Sequence, residues 1–211
     1  MKSLVNTISI GSYTVDIHRN LGIVCSGGAD SAILLYILMK YSTDSIRVYS
    51  LASKEKFRSV ARVSHNVISK CMDLTGHSDL HHHILYTDRQ NNQLLFSQPQ
   101  NDLAARKISM LYTGLTLIPS ADVLATFNNT VDDFVKTERN PNTVHQLYNG
   151  PYYSPFANIN KQQIKELYDM LEVTDQLFPL TRSCESLAQS AGHCGECWWC
   201  EERRWAFGRL E

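Results

Sequence analysis

Apolar and polar positions alternate through residues 5–17, VNTISIGSYTVDI, around Gly11-Ser12, which predicts a β-hairpin. The period then changes. Leu21 to Cys25 is a short apolar run of strand type, Ser26 to Ser31 breaks it with Gly27-Gly28, and Ala32 to Lys40 is apolar and rich in helix formers. Ser45 to Leu51 reads as a second strand, and Phe57 to Leu74 as a helix with Val60, Val63, Val67, Ile68 and Met72 at helical spacing. Cys71 falls in that helix as a buried thiol. His81-His82-His83 leads into ILYTD, a third strand; neighbouring strand residues face opposite ways, so the three imidazoles cannot chelate one ion together. The polar stretch 87–101 predicts a loop over the site, Asp102 to Leu117 a third helix, and Ala121 to Phe127 a fourth strand. Residues 134–150 read as irregular and Tyr152 to Phe156 as the last core segment. Asn160 is placed to cap a helix from Lys161 to Leu171 that carries Ile164, Leu167, Tyr168 and Leu171 on one face. Strands alternating with helices predict an α/β fold with a doubly wound parallel sheet.

The junction at residues 21–40 carries the first chemistry. A strand that turns on glycines into a helix aims unpaired N–H groups and the positive end of the helix dipole at one point, which favours a phosphate. Glycine permits both the tight turn and the close approach of an anion. Ser26 and Ser31 add hydroxyl donors, and Asp30 is suited to hold magnesium against the phosphates. No lysine follows the glycines as a Walker loop requires, and G-x-G-x-x-G is absent. S-G-G-x-D-S straight after a strand resembles instead the PP-loop of the N-type ATP pyrophosphatases, which cleave ATP between its α- and β-phosphates and activate a substrate as its adenylate.

With 211 residues, 43% of them hydrophobic, the chain suffices for one α/β domain plus a small appendage. A net charge of −1 supplies no global field for nucleic acid or an anionic membrane. MKSLVNTISIGS lacks the apolar core of a signal peptide, and the longest apolar run, Ala32 to Met39, is too short to span a bilayer. The expectation is a soluble, cytoplasmic protein whose cysteines serve as metal ligands or free thiols. Cys184, Cys194, Cys197 and Cys200 have the spacing C-x9-C-x2-C-x2-C. Such a set closes a tetrahedral thiolate shell, so a structural zinc is the expected occupant; an iron–sulfur cluster uses similar spacing. Trp198, Trp199, Trp205 and Phe207 are expected to pack around it, with His193 as a substitute ligand.

The loop and the cysteines together resemble the 7-cyano-7-deazaguanine synthase family, over about residues 21–205. The resemblance implies a PP-loop domain of the adenine-nucleotide alpha-hydrolase type at 21–180, preceded by the hairpin at 1–20 and followed by a zinc-binding tail at 181–211. It implies ATP against Cys25, Ser26, Gly27, Gly28, Ala29, Asp30, Ser31 and Leu51, and catalytic charge from Asp30, Lys161 and Arg106. Asn129 and Asp132 match an N-x-x-D on the substrate side, and the four cysteines match the zinc ligands. The implied reaction consumes ATP with Mg2+ and turns a carboxylate, in the family 7-carboxy-7-deazaguanine, into an amide and then a nitrile with ammonia. Neither membrane nor nucleic acid is expected as a partner, and a homodimer is left open. The family's F-D-Y-G-Q-x-H is Tyr49 to Glu55 here, its P-G-R-N is Ala104 to Lys107, and a glycine before the N-x-x-D is Phe127. These departures fall on the substrate and adenine side. They motivate a second reading, a PP-loop ligase joining a different acid to an amine, even on a macromolecule; a PP-loop tRNA sulfurtransferase with an iron–sulfur cluster in the cysteines is a third.

Overall fold

A computed structural model describes residues 4–53, 58–87, 93–184 and 192–211. The hairpin comes first: β1 (Leu4–Ile10) pairs antiparallel with β2 (Tyr13–His18) in a two-stranded sheet of its own, turning at Gly11 with φ 57°. β3 (Leu21–Val24) leads into α1 (Ala29–Tyr41), β4 (Ile46–Ser53), α2 (Arg58–Thr75) and β5 (Leu80–Thr87). These follow the predicted order. His81, His82 and His83 lie within β5 rather than ahead of it.

The middle of the chain departs from the expectation. Part of the polar stretch 87–101 is not a loop: α3 (Gln93–Ala104) occupies its later half, with Pro99 inside, while 88–92 lie outside the described residues. Asp102 to Leu117 is not a helix, since its core is β6 (Met110–Tyr112). Ala121 to Phe127 is not a strand, and begins with the single turn α4 (Ala121–Leu124). The cause is physical. Met110, Leu111 and Tyr112 are all buried, and a three-residue strand covered on both faces shows no alternation by which to recognise it. Within 134–150 lie α5 (Asp133–Glu138) and β7 (Tyr148–Asn149); β8 (Tyr152–Tyr153) follows. α6 (Lys161–Met170) starts where predicted, at a full capping box: Asn160 accepts from the N–H groups of Gln162 and Gln163, and the Gln163 side chain accepts from the Asn160 N–H. α7 (Thr174–Leu177), a 3-10 turn at Phe178–Leu180 and α8 (Trp198–Phe207) complete the described chain.

The large sheet has the order β5-β4-β3-β6-β8-β7, parallel except for β7, which runs antiparallel to β8. The winding reverses between β3 and β6, the switch point beyond whose carboxyl ends ligands bind in open α/β sheets. One face is covered by α1, α2 and α6. Ten of the thirteen residues of α1 are buried, so this helix is core on almost every side. On the opposite face Tyr49, Ile108 and Leu111 pack with Phe96 and Leu103 beneath α3. Among the described residues no helix is long and apolar enough to cross a membrane.

Phenols fasten the hairpin to the sheet. The Tyr112 hydroxyl accepts the His18 N–H at 3.0 Å and donates to the Asp16 carbonyl at 2.6 Å, while the Tyr153 hydroxyl accepts the Asp16 N–H at 3.1 Å. Tyr148 donates to the Asp16 carboxylate, and the buried His18 ring is edge-on to all three tyrosines. Burial, foremost, pushes the Tyr112 and Tyr148 phenols far above their ordinary range, so each remains a donor at physiological pH.

Candidate functional site

The loop between β3 and α1 turns on Gly27 and Gly28. Gly27 has φ +79°, a left-handed conformation that L side chains rarely adopt, and an added Cβ would stand 2.6 Å from Val63 Cγ1. Gly28 begins α1 with no side-chain cap, so the first turn keeps its dipole and donors for a ligand. Ser26 is exposed; its Oγ accepts from the Gly28 N–H and lies 3.3 Å from Ser31 Oγ. The loop is braced from below. The Cys25 carbonyl accepts hydroxyl bonds from Ser50 at 2.9 Å and Ser64 at 3.1 Å, and the Gly27 carbonyl accepts the Arg182 N–H at 2.8 Å. Cys25 itself is sealed in, and burial drives its thiol up to about 11, so its part is backbone rather than nucleophile. Leu51, near the carboxyl end of the neighbouring β4, is also buried.

Asp30, in the first turn of α1, meets Lys161, the first residue of α6, at 2.6 Å. Sequence alone gave no sign of what lies behind that pair. Lys161 Nζ is also 3.4 Å from Glu202 Oε2, and Glu202 Oε1 accepts from Arg139 Nη2 at 2.7 Å. Arg139 further donates to the Thr116 carbonyl, the Thr116 hydroxyl and the Leu117 carbonyl, with its guanidinium near the rings of Trp198 and Trp199. Asp30, Lys161, Glu202 and Arg139 therefore form one line of alternating charge. Glu202 is fully buried, Lys161 is 3% exposed and Arg139 6%, so each charge depends on its neighbours.

Arg106 does not join them. It sits exposed in a left-handed turn (φ 57°) just before β6, and β6 starts level with the first residue of β3. That places it at the amino end of the sheet, whereas the β3–α1 loop is at the carboxyl end. The predicted helix over Asp102 to Leu117 sets Arg106 near a helix start; with Met110–Tyr112 a strand, it falls in the turn before that strand. Gly114, just after the strand, reaches the loop: a Cβ on it would stand 2.9 Å from the Ser31 N and 3.0 Å from the Asp30 carbonyl carbon. Asn129 and Asp132 lie on the segment that leads into α5. The Asn129 amide donates to the Glu196 carbonyl and its N–H to Glu201, while Asp132 stands exposed at the start of α5. Asn129 also borders a cavity of about 540 Å3, lined by Ile118, Leu124, Phe127, Val131 and Lys136.

The Sγ atoms of Cys184, Cys194, Cys197 and Cys200 lie within 4.8 Å of one another. The 194–200 and 184–197 pairs are each 3.9 Å apart, against about 3.8 Å for the edge of a tetrahedron with metal–sulfur bonds near 2.3 Å. The Cys194 N–H points to Cys184 Sγ and the Cys197 N–H to Cys194 Sγ, both at 3.3 Å, the donors a thiolate shell requires. The set fits a metal. His193 Nδ1 lies 3.8 Å from Cys200 Sγ, at the margin of the set. Asp30 Oδ1 is buried with no hydrogen-bond partner, a hard oxygen that fits magnesium. The tail is bolted to the body by Arg203, which donates to the Phe178 and Thr181 carbonyls and to the Thr181 hydroxyl, and lies 3.7 Å from the Phe178 ring centre. Burial, foremost, lowers its guanidinium to about 10, still charged at neutral pH.

No curated protein sequence matches the chain. Among solved structures it is similar to the U34-tRNA thiolase NcsA from Methanococcus maripaludis with its [4Fe-4S] cluster, at 13% identity and a TM-score of 0.45, over 72% of this chain and 56% of that one. The chain thus spans little over half of the thiolase. It is also similar to the NMN synthetase from Francisella tularensis, at 12% identity and a TM-score of 0.46, over 90% of this chain and 78% of that one. The family model described as queuosine biosynthesis protein QueC matches residues 91–211, a region that contains Lys161, Glu202 and the four cysteines and begins after the phosphate loop. The chain belongs to the QueC family.

Proposed function

We propose that the protein is an ATP-dependent carbon–nitrogen ligase that converts a carboxylate of the 7-carboxy-7-deazaguanine type into a nitrile. The observation that carries the reading is the Asp30–Lys161 pair, 2.6 Å apart at the mouth of the Ser26–Ser31 loop. The loop amides, Ser26 and Ser31 would bind the leaving pyrophosphate, and Lys161 would supply positive charge as it departs. Asp30 would hold magnesium, which spreads the charge of the phosphates when bound. The four cysteines would hold zinc, closing the tail as a structural unit.

The carboxylate oxygen attacks the α-phosphorus, and pyrophosphate leaves. Ammonia attacks the acyl carbon, and the C–O bond to AMP breaks to give the amide and one proton. The amide oxygen then attacks the α-phosphorus of a second ATP, again releasing pyrophosphate. Loss of the remaining nitrogen protons with departure of AMP leaves the nitrile. Two ATP are consumed, and both carboxylate oxygens depart on AMP. A carboxylate is a poor electrophile, so the protein's work is positioning and charge stabilisation. The cavity lined by Ile118, Phe127, Asn129 and Lys136 is our candidate for the acid, with apolar walls for a planar ring and a lysine for its carboxylate.

The test is ATP–pyrophosphate exchange over a panel of carboxylates. Exchange with 7-carboxy-7-deazaguanine, reduced at least about 100-fold in Asp30→Asn, is the expected outcome. Exchange only with another acid would keep the activation chemistry and overturn the substrate. That second reading is favoured by Tyr49, which is not on a substrate loop: it is buried in β4 with its hydroxyl on Asp102.

A further inference from the structure

We propose that Glu202 is a positioning residue for nucleotide binding: it takes over Lys161 when Asp30 turns to the metal–nucleotide. The inference rests on the phosphate-loop reading above, but not on the identity of the acid. Lys161 Nζ stands between two carboxylates, bonded to Asp30 Oδ2 at 2.6 Å and 3.4 Å from Glu202 Oε2. The outer oxygen of each carboxylate differs in an informative way. Asp30 Oδ1 is buried without a hydrogen bond, and Glu202 Oε1 is fixed by Arg139. Glu202 Oε2 is buried without a hydrogen bond and ion-paired to Lys161 at 3.4 Å, so a short movement of Nζ would add a hydrogen bond to the existing charge contact.

The arrangement has two settings. Without nucleotide, Lys161 neutralises Asp30. With a magnesium–nucleotide, Asp30 must release Lys161 to offer its oxygens to the cation. A lysine buried to 3% exposure cannot be left without a counter-charge, and Glu202 supplies one within a small displacement. Lys161 thereby stays charged and faces the phosphates. Arg139 prevents Glu202 from following Lys161, since three further acceptors, the Thr116 carbonyl and hydroxyl and the Leu117 carbonyl, hold its guanidinium.

The decisive experiment is a crystal structure of the full, metal-loaded chain with magnesium and α,β-methylene-ATP, which cannot be cleaved at the relevant bond. The expected result is reversal of the two distances, with Lys161 Nζ nearer to Glu202 than to Asp30. Bound nucleotide with Lys161 still on Asp30 would overturn the proposal and leave the function above intact. Failure of the nucleotide to bind at the loop would overturn both. In solution, calorimetry of α,β-methylene-ATP against magnesium concentration gives an independent readout. Glu202→Gln leaves Asp30 as the only carboxylate on Lys161, so the magnesium needed for half-maximal binding should rise roughly tenfold or more. Metal content and melting temperature serve as controls for the fold. The double variant Glu202→Gln/Arg139→Gln removes one charge of each sign. If it restores the normal magnesium requirement, Glu202 serves charge balance alone and the proposal fails. Should Glu202→Gln lose its fold, the distances in the unaltered chain still decide.

Discussion

Gly114 faces the backbone of Ser31 so closely that a Cβ built on it would stand 2.9 Å from the Ser31 nitrogen and 3.0 Å from the Asp30 carbonyl carbon. The obstructing atoms are backbone of the first turn of α1, so relief requires one of the two backbone segments to move. Gly114→Ala should therefore lower ATP–pyrophosphate exchange by about tenfold or more, because misplacement by a fraction of an ångström is costly in a preorganised site. The measurement is the exchange rate beside the melting temperature. An active variant with normal nucleotide affinity would show that the loop is more yielding than its packing indicates.

On the other face of the sheet, the Tyr49 hydroxyl donates to Asp102 at 2.7 Å, and Gln98 donates to the other carboxylate oxygen at 3.0 Å. Burial pushes the Asp102 carboxyl up, but the Tyr49 bond, the charges of Lys107 and Arg47 and the Gln98 bond together hold it below its ordinary value of 3.8. A depressed carboxyl stabilises the fold above its unfolded value, and that contribution is lost as the pH falls through the folded value, below 3.8. Tyr49→Phe removes the donor and raises the folded value. The variant should lose about 1–3 kcal/mol at neutral pH, and its acid unfolding midpoint should move to higher pH, as followed by circular dichroism.

Removal of the zinc proposed for the four cysteines should be felt well beyond them. Cys197 begins α8, Cys200 lies in its first turn, and the Trp198 and Trp199 rings pack at 3.8 Å between centres. A chelator, or Cys197→Ser, should alter tryptophan emission and lower the melting temperature by about 10 °C or more, given what a structural zinc contributes. Nucleotide binding should weaken in parallel, because Glu202 is carried on the same helix. A metal-free chain that keeps its melting temperature and loses only turnover would assign the cluster to the chemistry. Metal analysis with an absorption spectrum separates zinc from iron–sulfur, which is coloured.

The parts of the molecule that could be read directly are those where local chemistry dictates local shape. Gly27 supplies the left-handed turn, Asn160 and Gln163 close a capping box, and the close spacing of Cys194, Cys197 and Cys200 brings their sulfurs together. The middle third failed because its elements are set by tertiary burial. Pro99 masks α3, and the all-buried Met110–Tyr112 resembles part of an apolar helix. Arg106 was misplaced as a direct consequence, and Gly114 passed unnoticed. Arg139 and Glu202 were invisible for another reason. An isolated arginine in a polar stretch and a glutamate in E-E-R-R look like surface charge, and only the folded chain shows that both are sealed from water.

The tyrosines beneath the hairpin have a bearing on how the molecule opens. Tyr112 belongs to β6 and Tyr153 to β8, so the bonds that hold Asp16 and His18 originate in the large sheet, two of them from the strand beside β3. A two-stranded ribbon alone would exchange its amide protons by local fraying. Here the Asp16 and His18 amides are tied to phenols that move only if β6 and β8 separate. Their hydrogen–deuterium exchange should then follow global unfolding, with the same denaturant dependence as amides of β3, and Tyr112→Phe should release the His18 amide to faster, denaturant-independent exchange while the Asp16 amide stays on Tyr153. The ribbon would thus report on the integrity of the strands beside the phosphate loop.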